Sequence, residues 1–239
     1  TATNNLIVGG LAGDSLTTGS YNTALGFGAL GSEDAHGRNV AIGYLALTTQ
    51  DAGADAYNVA VGFNSGTSVT TGIYNTLVGG LSGDALTIGN SNVAVGYAAL
   101  TSEVQGDRNV AVGVAALQSQ SNSSDVDAYN VAVGYYAGQS MTTGIENTLI
   151  GGKAGDAITE AKYNVAVGMN ALGTNILGWK NTAIGNNALG TMNPASAADT
   201  YNVGVGHNAG INVTTGVDNT ILGGLAGDAA TTGSYNVAV

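Results

Sequence analysis

Short apolar triplets recur along this chain, each with Asn in front of it and Gly behind. The motif Asn-[Val/Thr]-[Ala/Leu]-[Val/Ile]-Gly begins, with small variations, at Asn5, Asn22, Asn39, Asn58, Asn75, Asn92, Asn109, Asn130, Asn147, Asn164, Asn181, Asn202, Asn219 and Asn236. The intervals between successive starts are 17, 17, 19, 17, 17, 17, 21, 17, 17, 17, 21, 17 and 17. A basal unit of seventeen therefore accepts insertions of two or four, always in the same part of the unit. Three residues after each Asn stands a branched aliphatic residue, from Val8 to Val239, and Gly follows it in all thirteen units that reach so far. Seven residues after the Asn, the same thirteen units always carry Ala or Ser. Fixed columns that tolerate insertions in one place only mark a stacked repeat.

A β-branched triplet that ends at Gly predicts a strand that turns at once. Gly at a fixed corner implies a positive φ or a close approach of two backbones. Seventeen residues leave room for two or three strands of about five residues. The expected fold is all-β: a parallel β-solenoid of 14 coils, about 17 residues per coil, continuous over residues 1–239. Coils stacked ~4.8 Å apart would make a rod of roughly 60 Å. In this picture the branched aliphatic column forms the packed rung, and the Asn column forms a ladder in which each side-chain amide bonds the next. A Val-Ala-Val strand is apolar on both faces, and such strands are usually covered on both. One face fills the coil; the other calls for a second strand or another subunit, and the sequence reading favours the subunit.

A longer period lies above the first. The coils at Asn5, Asn75, Asn147 and Asn219 continue as Gly-Gly-Leu-Ala-Gly-Asp or close to it, and their central strand residue is Ile7, Leu77, Leu149 or Ile221 in place of Ala. The coils with insertions, at Asn39, Asn109 and Asn181, are preceded by Arg38, Arg108 and Lys180. The repeating cassette is thus four coils, since Asn5, Asn75, Asn147 and Asn219 are separated by intervals of 70, 72 and 72.

Composition narrows the class. Charged residues are only 9% and hydrophobic ones 44%, the reverse of a disordered segment. Most of the apolar residues are small, so the core is expected to be thin. A net charge of −11 with only five Lys and Arg disfavours nucleic acid and anionic membranes as partners. The absence of cysteine removes disulfides and thiolate metal sites, and no 18-residue apolar run is present.

The run Asn92-Val-Ala-Val-Gly-Tyr-Ala-Ala-Leu100 resembles the head repeats of trimeric autotransporter adhesins, the YadA-like head. It is similar as well to arrays in phage tail-fibre proteins. The resemblance covers essentially the whole chain, although the family's head coils are shorter than the seventeen-residue coil found here. It implies a left-handed parallel β-roll, usually a homotrimer whose strands face a shared axis.

No chemistry stands out. Gly79-Gly80-Leu81-Ser82-Gly83-Asp84 mimics a calcium-binding nonapeptide, but it recurs only once per cassette, so consecutive turns cannot share ligands. Asp14, Asp84, Asp156 and Asp228 read as turn formers. Asp51, Asp55, Asp125, Asp127 and Asp199 read as solvated acids of the insertion loops. His36 and His207 occupy different coil positions with no evident partner. Tyr21, Tyr57, Tyr74, Tyr129, Tyr163, Tyr201 and Tyr235 share one corner and suggest a stacked packing ladder in preference to a carbohydrate platform. Thr70, Thr142, Thr214 and Thr231 lie on turns, and half the coils lack such a Thr, which disfavours an ice-binding face. The two glycosylation sequons begin at Asn122 and Asn212. No catalytic, cofactor-binding or metal-ligating residue is assigned, and no cofactor is expected. The function expected is a non-enzymatic structural rod of an extracellular or surface fibre, adhesin-like, alternatively a phage tail-fibre shaft or a polymerising extracellular filament. It would self-associate as a homotrimer or end to end, with a host-surface or carbohydrate receptor as a candidate further partner and no membrane contact.

Overall fold

The computed structural model describes residues 2–239 and shows an all-β parallel solenoid with one main strand per coil. The chain divides into two compact units: Thr1–Val114 with Ser121–Asp127, and Ala115–Gln120 with Ala128–Val239.

In the first unit the strands are Leu6–Val8, Thr23–Leu25, Val40–Ile42, Val59–Val61, Thr76–Val78, Val93–Val95 and Val110–Val112. Each pairs in parallel with the next, without a register slip. Val61, Val78 and Val95 are direct partners along one line, as the repeat predicts. The second unit repeats the arrangement with Val131–Val133, Thr148–Ile150, Val165–Val167, Thr182–Ile184, Val203–Val205, Thr220–Leu222 and Val237–Ala238. Each unit also has one two-stranded ribbon, Gly106–Asp107 with Val126–Asp127 in the first and Gly178–Trp179 with Ala198–Asp199 in the second.

The main strands are at most three residues long, not about five, because left-handed backbone interrupts the extended chain. The Gly that ends each strand has φ between 122° and 145°. A Cβ on Gly96 would run into the carbonyl of Gly113 in the next coil, so both reasons for Gly hold at this corner. The residue just before each Asn is also left-handed, with φ of 47–65°, whether it is Tyr57, Arg108 or Glu146. Coil-to-coil hydrogen bonding nevertheless continues through the turns, as in Leu30 N to Ala46 O at 3.0 Å and Thr17 N to Asp34 O at 2.7 Å.

The interior differs from expectation in which column it uses. The central strand residue points inward: Ala24, Ala41, Ala60, Leu77 and Ala94 are fully buried. The branched aliphatic residue beside it, expected as the packed rung, lies on the outer face, with Leu25 42% and Ile184 40% exposed. Successive residues of a strand point to opposite sides, and both columns are apolar, so the pattern could not tell inside from outside. The thin core is as expected, since Ala and Ser at the seventh position after Asn fill its other wall.

Core volume is shared between columns and between neighbouring coils: the coils at Asn58 and Asn130 pair Ala60 with Gly66 and Ala132 with Gly138, and Leu77 and Leu149 of the following coils fill the space beside those glycines. Where the central residue is Ala94 or Ala166, the eighth position after Asn carries a buried Leu, Leu100 or Leu172. Where the central residue is Leu77, the eighth position is Gly83, and a Cβ there would sit 2.8 Å from Leu77 Cδ2. Interiors packed near crystal density require this exchange.

The Asn column forms a ladder in which the expected amide-to-amide bonds run in part, as from Asn147 to Asn130, Asn164 to Asn147 and Asn181 to Asn164, and bonds between side chain and backbone supply the rest. Asn92 Oδ1 accepts from the backbone N–H of Asn109 at 2.9 Å, while Asn92 Nδ2 donates to Gly106 O at 2.9 Å. One oxygen thus joins coil to coil, and one nitrogen clasps the far end of its own coil. The same pair of bonds is made by Asn58, Asn75, Asn130 and Asn202. A direct amide-to-amide bond is added at some coils, such as Asn164 Nδ2 to Asn147 Oδ1 at 3.2 Å.

Candidate functional site

Four surface features repeat or cluster, and each follows from which column it occupies. The first is the outer strand face. Position one and position three after Asn project outward from the strands: Val61, Val78 and Val95 form a partly exposed aliphatic row in register, and beside it position one mixes Val with Thr, as at Val59, Thr76 and Val93.

The second is the corner before the Asn. The left-handed backbone there aims the side chain into solvent, and Tyr21, Tyr57, Tyr74 and Tyr129 are about half exposed. Tyr57 and Tyr74 stack at 5.7 Å, and the Arg38 guanidinium lies 5.0 Å from the Tyr21 ring and 5.6 Å from the Tyr57 ring. A second aromatic stack was not foreseen: Phe27, Tyr44 and Phe63, five residues after their Asn, stack at 5.7 and 5.3 Å. A count of aromatics at that position would have found it.

The third feature joins the insertions to the cations that precede their coils. Arg38 Nε donates to Asp55 Oδ2 at 2.6 Å, and Lys180 Nζ to Asp199 Oδ2 at 2.7 Å. Arg108 pairs with Asp127. Tyr201 completes the third case, with its hydroxyl 3.0 Å from both Lys180 Nζ and Asp199 Oδ2. The hydrogen bonds from Arg38 and Lys180 hold the Asp55 and Asp199 carboxyls below their ordinary range. The signal was in the sequence: Asp stands three residues before Asn58, Asn130 and Asn202, one coil after each basic residue. These acids are pinned to neighbours, not freely solvated.

The fourth feature is a pair of grooves beside the cassette acids Asp14 and Asp156. The larger, about 330 Å³, runs past Lys153, Asp156, Asn170 and Asn187 to Ile211. Gly173 and Gly190 floor it at the position where Asp156 and Ile211 close its ends. The smaller, about 280 Å³, has Asp14 with only Gly31 beyond it before Thr48 closes the space. At Asp84 the equivalent residue is Thr101, whose hydroxyl donates to the carboxylate. Asn170 Nδ2 donates to Asn187 Oδ1 at 3.3 Å along the wall, and burial pushes the Asp156 carboxyl up while Lys153 opposes it. Such a groove offers amides, one ammonium and one carboxylate to a polar ligand.

Two further residues fall elsewhere than the sequence suggested. His36, which had no evident partner, lies with Glu33, Asp34 and Asp51 in one cluster of groups able to ligate a metal. Asn122, a sequon residue, is buried and bonded to Glu103, whereas Asn212 is exposed. No helix among the described residues is long and apolar enough to cross a membrane.

These features define the chain's class as a parallel β-solenoid. No protein-family model, curated protein or solved structure matches it.

Proposed function

We propose that this chain is a non-enzymatic structural segment of an extracellular or surface fibre, and that it assembles with copies of itself through the outer strand face. The observation that carries the reading is the in-register row of partly exposed branched aliphatics at the third position after each Asn, flanked at the first position by Val or Thr. A soluble monomer rarely keeps so regular an apolar strip open to water. β-Branched residues on a parallel sheet present a rigid surface that loses little side-chain entropy when covered. The architecture suits a shaft: within each unit, coils are hydrogen-bonded to their neighbours through strand, turn and Asn, and short pinned turns leave proteases little extended chain to bind.

Light scattering coupled to size exclusion tests the assembly. The chain is expected to elute as an oligomer of defined stoichiometry. The double variant Val59→Asp, Val95→Asp, altered only on the outer face, is expected to elute as a folded monomer. A monodisperse wild-type monomer at high micromolar concentration would reject self-assembly through this face.

A further inference from the structure

We propose that Glu33, Asp34, His36 and Asp51 form a binding site for a divalent transition-metal ion, with zinc(II) the best match. Each residue offers one ligand atom, and all four atoms lie within 4.8 Å of one another. The ligands of a tetrahedral zinc ion with ~2.0–2.1 Å bonds lie ~3.3 Å apart, so the cluster closes on a metal when its most distant ligand atoms each move inward by about 0.7 Å.

An acidic cluster alone would say little; the unpaired atoms say more. Glu33 is fully buried, and its Oε1 accepts from the backbone N–H of His36 at 3.1 Å, yet its buried Oε2 has no partner. His36 Nδ1, 3.8 Å from Glu33 Oε1, is likewise buried without a hydrogen-bond partner. A buried carboxylate oxygen and a buried imidazole nitrogen, both unpaired and side by side, are a ligand set without its cation.

The sister cassettes supply the control. Glu103 stands at the same coil position as Glu33, and there Oε1 accepts from four backbone N–H groups while Oε2 accepts from Asn122 Nδ2 at 2.8 Å. The third cassette has Asn175, closed by Gly178 N–H to Oδ1 at 2.8 Å. Gly106 and Gly178 occupy the place that His36 takes in the first cassette. The protein therefore closes this position itself in two cassettes. In the one where it does not, it supplies an imidazole and two further carboxylates.

The ligands are held ready. Asp34 O accepts from Thr17 N–H at 2.7 Å and Thr18 N–H at 3.2 Å, Asn22 Nδ2 donates to His36 O at 3.2 Å, and Asp51 N–H donates to Thr70 O at 2.9 Å. One imidazole nitrogen among carboxylate oxygens selects zinc-like ions over calcium and magnesium, which take oxygen ligands. A bound ion would tie the insertion at Asp51 to the coil before it.

Isothermal titration with zinc chloride, paired with ¹⁵N-edited imidazole spectra, tests the site on the full chain. The expected result is one zinc per chain, with the His36 Nδ1 resonance moved and the His207 resonances unmoved. Asp51→Asn and His36→Gln, both at solvent-accessible positions, should each weaken binding tenfold or more, and His207→Gln should not. The assignment is overturned if zinc does not bind stoichiometrically, if the two variants bind as wild type, or if calcium binds these residues more tightly than zinc.

Discussion

Arg38 reaches one full coil along the solenoid to meet Asp55, with 2.6 Å between Nε and Oδ2. The same reach joins Lys180 to Asp199 and Arg108 to Asp127, so each insertion returns to the stack under a clip from the residue just before the coil it interrupts. Insertions are thereby tolerated without loss of register, which is the condition for a repeat array to persist through irregular coils.

These clips make stability depend on pH in a definite direction. Asp55 and Asp199 are held below the ordinary carboxylate range by their hydrogen bonds to Arg38 and Lys180. A group so shifted adds stability above its unfolded value and loses it as pH falls through its folded value. Denaturant midpoints of the wild type should fall on acidification below about pH 4, and Asp55→Asn with Asp199→Asn should make that slope shallower. Glu33 and Asp156, raised by burial, act in the opposite sense, since their penalty at neutral pH is relieved by protonation. The difference between wild type and variant isolates the clips.

Replacing a ladder Asn removes a clasp and a rung together. Asn92→Ala leaves Gly106 O without its donor and Asn109 N–H without its acceptor. Two buried groups left unsatisfied should cost about 3 kcal/mol, read as a lower urea midpoint at unchanged slope.

The exchange of volume between Leu77 and Gly83 predicts strong coupling. Leu77→Ala alone should cost about 3 kcal/mol through the cavity, and Gly83→Leu alone about 2 kcal/mol through overpacking. The double variant reproduces the Ala94 and Leu100 arrangement of the next coil, so it should lose less than the sum of the two, with a coupling above about 1.5 kcal/mol. Additive losses would show that the two positions do not share space.

Gly96 carries both a positive φ of 135° and a backbone neighbour in the path of a Cβ. Gly96→Ala should therefore cost about 3 kcal/mol or more, whereas Gly53→Ala, with open space around it, should cost only the strain of its φ, about 1 kcal/mol. Thermal melts of the two variants compare them directly.

The amino-acid sequence by itself determined the repeat: Asn and Gly at fixed phase dictate a seventeen-residue coil, parallel stacking and insertions on one side, because each column serves a backbone need that recurs in every coil. It could not decide which of two apolar columns faces inward. A strand alternates sides, and with Ala in one column and Val in the other, only the closed coil shows that the small residue fits the narrow interior while Val remains outside. Nor could it bring His36 to Glu33, Asp34 and Asp51. Those residues come from a turn and from an insertion one coil later, and their meeting depends on how the inserted chain folds back, which the spacing of the repeat leaves open.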